Sequence, residues 1–485
     1  MKYKPVIGLE VHLELQTKSK MFCGCSTQIF QAPPNTHTCP TCLGLPGALP
    51  VVNKAACQSC LKIGLALGCS LNESAVFARK HYSYPDLSKG YQISQYELPF
   101  CINGEVTLQS GKKIRITRAH MEEDTGKLVH GTHHGKDVSF VDFNRSGIPL
   151  VEIVSEPDIS SSEEAEEYGK LLQQVMQYLG VSEASMEKGL MRFEANISLK
   201  KETDPQGYLP NYKVEVKNLN SFKALREAIE YEITRQTQML ENGQTPAQET
   251  RGWDEVKCQT YPQREKENAH DYRYFPDPDI TPMTWMKTQE QRLRDELPEL
   301  PWRKRSRYQE ELGLSSYDAH VLTLEADTAK WFDDAVRHIP SEKNQKVYAK
   351  KLANWVTVEC ARIANTTGTP LHESKLLARE LIYVIALLEE NKLSNTNAKI
   401  VIEELFTKGG KARDIIQSKG LEQLNDDTII EATVAKVIEA QLKAVADYKS
   451  GKTTALQFLI GMTMKELKGK GNTDKIKRIL EKQLE

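Results

Sequence analysis

Polar and apolar positions alternate along residues 5–15, PVIGLEVHLEL. Ile7, Leu9, Val11, Leu13 and Leu15 fall on one side, and Val6, Gly8, Glu10, His12 and Glu14 on the other. This is the period of a strand with an apolar back. Its polar front sets Glu10 and His12 side by side, a geometry for holding a cation. A second alternation fills 113–121 and runs into His120-Met121-Glu122-Glu123-Asp124-Thr125-Gly126. Taken alone, the acid run reads as a charged turn, though three acids beside a glycine can also chelate a hard cation through oxygen. A third stretch, Asp142–Asp158, organises the chain: DFNRSGIPLVEIVSEPD. Asp142, Asn144 and Arg145 precede a rigid turn at Gly147-Ile148-Pro149. In the strand that follows, Leu150, Glu152 and Val154 point one way and Val151 and Ile153 the other. An acid among apolar neighbours is costly to bury unless something cationic meets it. Glu152 therefore reads as a metal or substrate ligand.

The remaining pattern supplies packing and further polar faces. Ser160–Gly180 is a helix with a capping box, an apolar face from Ala165 to Leu179 and a terminal glycine. Arg192, Glu194 and Asn196 share one face of a strand whose other face holds Phe193 and Ala195. Val214–Asn220 repeats that design, and Ser221 caps a long helix running to Asn242-Gly243. Tyrosines, lysines and amides interleave in 79–95, a loop suited to lining a polar cleft. Basic and aromatic groups beside acids recur in Arg264–Lys266 and His270–Asp279. Beyond about residue 290, after the prolines at 298 and 301, helical periodicity dominates, as in Leu376–Leu388 and Ile429–Val445. A break at Gly409-Gly410 precedes a small helical module with basic clusters suited to a phosphate backbone. Gly451-Lys452-Thr453 is not a phosphate loop, because Ala446 stands where its first glycine belongs and no strand precedes it.

Composition narrows the classes. The chain has 485 residues, 39% hydrophobic, with a formal net charge of −2. That is an ordinary soluble composition for two to four domains, with no global nucleic-acid signature. No apolar run reaches membrane-spanning length and no signal composition precedes the first strand, so a reducing cytoplasm is expected. Cys23-Gly24-Cys25 and Cys39-Pro40-Thr41-Cys42 flank a proline-rich loop and match a tetrahedral four-cysteine zinc site. His37, inside that loop, can replace one cysteine. Cys57 and Cys60 sit in a helical pattern and read as core.

VIGLEVHLEL, the cysteine pairs before LGLPGALPVVN, YPDLSKGYQISQ, HMEEDTGKL, DFNRSGIPLVEIVSEPD, VEVKNLNSF and HDYRYFPDPD occur in this order. Together they closely resemble the B subunit of the Asp/Glu-tRNA(Asn/Gln) amidotransferases. The resemblance implies an α+β fold. A glutamine-synthetase-like cradle on antiparallel sheet (1–292) is followed by an all-α domain (293–405) and a small helical tail that grips tRNA (406–485). It implies an ATP-dependent ligase that phosphorylates the side-chain carboxylate of Glu-tRNA(Gln) or Asp-tRNA(Asn) and amidates it with ammonia. The ammonia comes from an amidase subunit, and a small third subunit makes the complex a heterotrimer. By motif position His12, Glu123 and Glu152 match magnesium ligands with Glu10 close by, and Glu122 or Asp124 can stand in for Glu123. Lys80 and Lys89 match lysines near the ammonia route, and Arg192, Asn218 and Arg273 are candidates for phosphate or substrate contacts. The four cysteines match a structural zinc knuckle.

The sequence departs from the family pattern at Ser88, where proline is common, at Thr260–Gln263 and at Phe193-Glu194. It carries no amidase signature, no Gly-x-Ser-x-Gly elbow and no glutaminase cysteine motif, so it is not expected to make its own ammonia. Two other classes compete: a non-catalytic tRNA-binding adaptor with a zinc knuckle, and a stand-alone ligase acting on free glutamate. The basic tail speaks against the ligase.

Overall fold

A computed structural model of the chain describes residues 2–205, 207–265, 272–423, 427–467 and 471–484, with the side chains of 264 and 265 left aside. The chain forms two compact units that meet in sequence at Leu300/Pro301. The division lies beyond the expected 292/293. The helix Lys287–Asp295 and its C-cap belong to the first unit, where Glu296 pairs with Lys62 at 2.9 Å. Pro301 then opens the next helix, a position where its missing N–H costs nothing.

Strands of the first unit, in chain order, are β1 (Tyr3–Glu14), β2 (Ser70–Leu71), β3 (Ser74–Ala75), β4 (Ala78–His81), β5 (Tyr91–Ser94), β6 (Cys101–Thr107), β7 (Lys113–Glu123) and β8 (Lys127–His133). They continue with β9 (Lys136–Asp142), β10 (Pro149–Ser155), β11 (Met191–Lys201), β12 (Val214–Leu219), β13 (Glu249–Asp254), β14 (Gln259–Glu265), β15 (Phe275–Pro276) and β16 (Met283–Thr284). Nine of them make one sheet, ordered β14-β13-β12-β11-β1-β10-β7-β6-β2. The sheet is antiparallel, as expected, except at one pair. β12 and β13 run parallel, because the helix Phe222–Glu241 returns the chain to the starting end between them.

The sheet has two unlike faces. Leu9, Val11, Leu13, Ala119, Met121, Val151, Ile153, Phe193 and Ala195 are buried on the apolar face. Three helices cover that face: α1 (Lys54–Ala66), α2 (Ser162–Leu179) and α3 (Phe222–Glu241). Their ends follow the capping rules. Ser161 accepts the Glu164 N–H, Ser221 accepts the Ala224 N–H, and Gly180 closes α2 at φ 65°. The opposite face carries the acids. A smaller sheet, β15-β4-β5, flanks the β7 end of that face.

At the far edge of the sheet, Glu232 on α3 is fully buried. It accepts from Arg235 at 2.9 Å, from Gln236 at 2.9 Å and from Thr260 at 2.5 Å, and it pairs with Arg251 at 3.2 Å. This network ties α3 to β13 and β14.

The second unit is helical throughout its described residues, with two cores. One gathers Tyr308 to Ile416, the other Ile430 to Leu484. The helix Ala412–Lys419 follows the glycine break, yet Ala412, Ile415 and Ile416 pack in the first of these cores. The second core therefore begins later than the expected 406. The helical pattern expected over Ile429–Val445 is interrupted at Gln441, which separates Asp427–Ala440 from Leu442–Lys449. Among the described residues no helix is long and apolar enough to cross a membrane.

Glu232→Ala leaves two arginines facing an emptied buried site, a loss of about 3–5 kcal/mol. Urea denaturation followed by tryptophan fluorescence is expected to move the first unit's transition to lower urea, with Glu232→Gln falling between Glu232→Ala and wild type.

Candidate functional site

Register builds the site. Within β1, β10, β7 and β11, Arg192 stands opposite His12, His12 opposite Glu152, and Glu152 opposite His120. Directly opposed residues of antiparallel strands share a face. Four strands thus set one row of polar side chains across the acidic face. One step along, Glu194 faces Glu10 and Val154 faces Arg118; at the other side Leu150 faces Glu122.

The first cluster is His12, Glu122 and Glu152, whose ligand atoms all lie within 4.8 Å of one another. His12 Nε2 is 3.7 Å from Glu152 and 4.0 Å from Glu122. His120, buried behind them, places Nε2 3.4 Å from Glu152 and 3.7 Å from Glu122. Ser94 and Gln92 on β5 donate to Glu122 at 2.8 and 3.2 Å. Burial opposes the Glu122 charge, but Lys80, His120 and His12 outweigh it and hold the carboxyl well below its usual range. Lys80 answers in kind: burial works against its ammonium, and Glu122 at 3.7 Å together with Glu152 keeps it well above the ordinary lysine value. Tyr272 lies under that ammonium, 5.1 Å from ring centre to Nζ. Tyr82 meets Tyr272 edge-on, and Tyr274 stacks on Tyr96 at 4.5 Å.

A second cluster was not expected as a set. Glu10, Glu194 and Glu215 bring their oxygens within 4.8 Å of one another. Asn196 donates to Glu10 at 2.9 Å, and Lys217 reaches Glu194 at 2.8 Å. Burial, then Glu152, Glu194 and Glu215, push Glu10 above the normal carboxyl value. An all-oxygen donor set of this kind suits a hard divalent ion, whereas His12 adds a nitrogen to the first set.

The acid run 122–124 divides three ways. β7 remains paired to β10 as far as Glu123, so these residues belong to a strand and its end and not to a free turn. Strand alternation then sends Glu123 away from Glu122. The expectation of Glu123 beside His12 and Glu152 is corrected accordingly: Glu122 occupies that place. Glu123 accepts from Lys89 at 2.6 Å and from the Ile93 N–H at 3.0 Å. Both partners line a cavity of about 260 Å³ with Phe22, Cys42, Leu45 and Gly147. Asp124 faces Arg192 at 3.3 Å and Arg145 at 3.7 Å. Its neighbour Glu14 is pushed up to about 8 by burial and by the Asp124 charge it hydrogen-bonds.

Two other candidates stand apart. Asn218 is exposed at a bulge where β12 slips against β11, in the left-handed region at φ 65°. Arg273 is exposed, and its carbonyl lies 3.0 Å from His81 Nδ1. Lys266, His270 and Asp271 lie outside the described residues, as do Lys468 and Lys470.

The four cysteine sulfurs also lie within 4.8 Å of one another, and those of Cys39 and Cys42 are 3.8 Å apart. That is the edge of a tetrahedron with Zn–S bonds of about 2.3 Å, so the set fits zinc. His37 takes no part. Its N–H donates to Asn144 Oδ1 at 2.7 Å and its ring lies 3.1 Å from Thr36. The segment that leads into β10 docks this loop. Asp142 accepts the Asn35 N–H at 2.9 Å, Asn144 donates to the Pro33 carbonyl at 2.8 Å, and Ser146 donates to the Cys42 carbonyl at 3.1 Å. Ser88, the departure from proline, donates to the same carbonyl at 2.8 Å.

Known proteins share this pattern over the whole chain. The sequence model described as the GatB/GatE catalytic domain matches residues 5–290, and the one described as the GatB domain matches 332–484. The chain belongs to the amidotransferase B-subunit family. It is 46% identical over 488 residues to the B subunit of the aspartyl/glutamyl-tRNA(Asn/Gln) amidotransferase of Caldanaerobacter subterraneus subsp. tengcongensis, covering 100% of each chain. It is 46% identical to the protein of the same name from Anaeromyxobacter dehalogenans strain 2CP-1, over 99% of each. For Dehalococcoides mccartyi the identity is 45% over 499 residues, with 100% of this chain and 99% of the other covered. Members of this family can thus be compared with the present chain end to end.

Glu14 supplies a pH test. Its folded value lies above the ordinary carboxyl value of 4.5, so its favourable contribution is complete below that value and is lost as pH rises toward about 8. Chemical denaturation in metal-free buffer is expected to show a downward slope of stability across that window, shallower in Glu14→Gln.

Proposed function

We propose that this chain is the ATP-dependent transamidating member of a tRNA-dependent amidotransferase. It would act on Glu-tRNA(Gln), Asp-tRNA(Asn) or both, with ammonia delivered by an amidase subunit in a heterotrimer completed by a small third subunit. The observation that carries this reading is the meeting of two carboxylate clusters, three cationic side chains and an aromatic wall on one face of a rigid sheet. A side-chain carboxylate is a poor electrophile. One of its oxygens first attacks the γ-phosphorus of ATP and ADP departs. Ammonia then attacks the acyl carbon of the mixed anhydride, phosphate leaves, and a proton is released with the amide.

His12, Glu122 and Glu152 would hold one magnesium ion, and Glu10, Glu194 and Glu215 a second. Bound there, divalent ions neutralise charge on the transferring phosphoryl group. The chain's own residues do the rest. Ser94, Gln92 and His120 fix the Glu122 and Glu152 carboxylates before any ion arrives, which preorganises the site. Lys80 balances the Glu122 charge and would offer its ammonium to phosphate oxygens. Arg192, half-buried at the end of the polar row, offers a second charge to the phosphate or the substrate carboxylate. The cavity beside Lys89 and Glu123 suits the entry of a small neutral molecule such as ammonia, with that ion pair at its wall. The four cysteines would hold a structural zinc, and the helical tail with its second core would bind tRNA. A stand-alone adaptor has no use for two crowded anionic clusters, so the catalytic reading is preferred.

The test separates neighbours in sequence. In the purified heterotrimer with Glu-tRNA and ATP, Glu122→Gln and Glu152→Gln are expected to lower ADP formation by about 10²–10⁴-fold, the range of a lost catalytic group. Glu123→Gln is expected to keep ADP formation within a few-fold while slowing glutamine-dependent amide formation. Equal ADP loss in Glu122→Gln and Glu123→Gln would contradict this division of labour.

A further inference from the structure

Lys20 has no exposed surface at all, and no step of the proposed reaction uses it. Its Nζ donates to the His37 carbonyl at 2.8 Å and to the Phe143 carbonyl at 3.4 Å, and it stands 3.7 Å from Cys42 Sγ. The stem of the side chain runs past Gly147, where an added Cβ would lie 3.6 Å from Lys20 Cδ. An ammonium taken wholly out of water needs a compensating negative charge. Among the described residues no carboxylate forms an ion pair with Lys20, unlike Lys80 and Lys89 nearby. The remaining anionic partner is sulfur. Cys42 is the buried member of the four cysteines, and it also accepts the Cys39 N–H at 3.1 Å.

Four thiolates around a divalent ion leave a formal charge of about −2 on the centre. In a buried knuckle that excess must be offset or the ligands repel one another. We infer that Lys20 is the resident counter-cation of the four-cysteine centre, a positioning residue that offsets its charge through Cys42 and so retains the metal. The inference rests on the reading of these cysteines as a zinc site. The same side chain also joins the knuckle, through His37, to the turn before β10, through Phe143. Loss of its charge therefore loosens the metal first, while the backbone links made by Asn144, Asn35 and Ser146 still hold the loop in place.

The test uses the full-length chain in its complex, with zinc content, zinc retention against a chromophoric chelator, and the thiolate-to-cobalt charge-transfer band after cobalt substitution as readouts. Lys20→Met is expected to weaken zinc retention by about 10–100-fold, the usual effect of removing an outer-shell partner of a metal ligand. Lys20→Arg, which keeps the charge, is expected to stay nearer wild type, and the cobalt band is expected to persist in both. Asn144→Ala, which breaks the docking of the loop but leaves the ammonium, is expected to retain zinc like wild type. Retention in Lys20→Met within about twofold of wild type would overturn the inference. So would an equal loss in Asn144→Ala, which would make the effect one of docking rather than charge. Should Lys20→Met not accumulate as folded protein, Lys20→Gln against Lys20→Arg makes the same comparison, and equal retention in those two overturns it. A wild-type complex with neither zinc nor a cobalt band would sink the metal reading itself, and the role of Lys20 with it.

Discussion

Negative charge crowded on one face of a buried sheet is the constraint to which the rest of the first unit responds. Glu10, Glu14, Glu122, Glu152, Glu194 and Glu215 all project from that face or its edge, and Coulomb repulsion at these separations is strong where water is scarce. The fold answers in several ways. Lys80, Lys217 and Arg192 supply positive charge, Ser94, Gln92 and Asn196 supply hydrogen bonds, and burial beside Asp124 raises the Glu14 carboxyl so that it holds its proton to higher pH. In the proposed function, the negative charge left uncompensated would draw divalent cations to this face, and phosphate only through them. An arrangement this costly persists because the apolar back, packed on three helices, holds the strands in register against the repulsion.

Much of this was legible in the alternation of residues. The apolar back of β1, the outward Glu10 and His12, and the isolated Glu152 in an apolar strand all follow from a period of two. The resemblance of short motifs to a known family added the reaction. The choice between Glu122 and Glu123 also lay within reach of that period. His120 and Glu122 share parity, and whichever of the two strand faces His120 occupies, Glu123 must occupy the other. The turn-like composition of 122–124 hides this, because the end of β7 is decided by its pairing with β10 and not by its own residues. Glu194 and Glu215 required more. Their convergence on Glu10 depends on which strands become neighbours and on a bulge at Lys217-Asn218, and neither is written in local sequence.

The stretch 142–149 illustrates a different limit. The sequence sets Asp142 and Asn144 against the turn at Gly147-Ile148-Pro149, just before the strand that carries Glu152. Their hydrogen bonds go to backbone groups of the knuckle loop, more than a hundred residues earlier. Side chains of this kind satisfy an irregular loop that has few backbone pairs of its own. The knuckle, the turn and the cavity beside Lys89 and Glu123 consequently form one connected body behind the acidic face. Arg145 bridges the two, hydrogen-bonding the Thr125 and Gly126 carbonyls and facing Asp124.

In the proposed site two cations share one sheet face, and Glu122, not Glu123, completes the first of them. Manganese is an anomalous scatterer that takes the same oxygen and nitrogen donors as magnesium. The direct measurement is diffraction at the manganese edge from crystals of the complex, soaked with manganese and a non-hydrolysable ATP analogue. Two anomalous peaks are expected, one bounded by His12, Glu122 and Glu152 and one by Glu10, Glu194 and Glu215. A peak on Glu123 and Lys89, or none on this face with the nucleotide bound elsewhere, would contradict that arrangement.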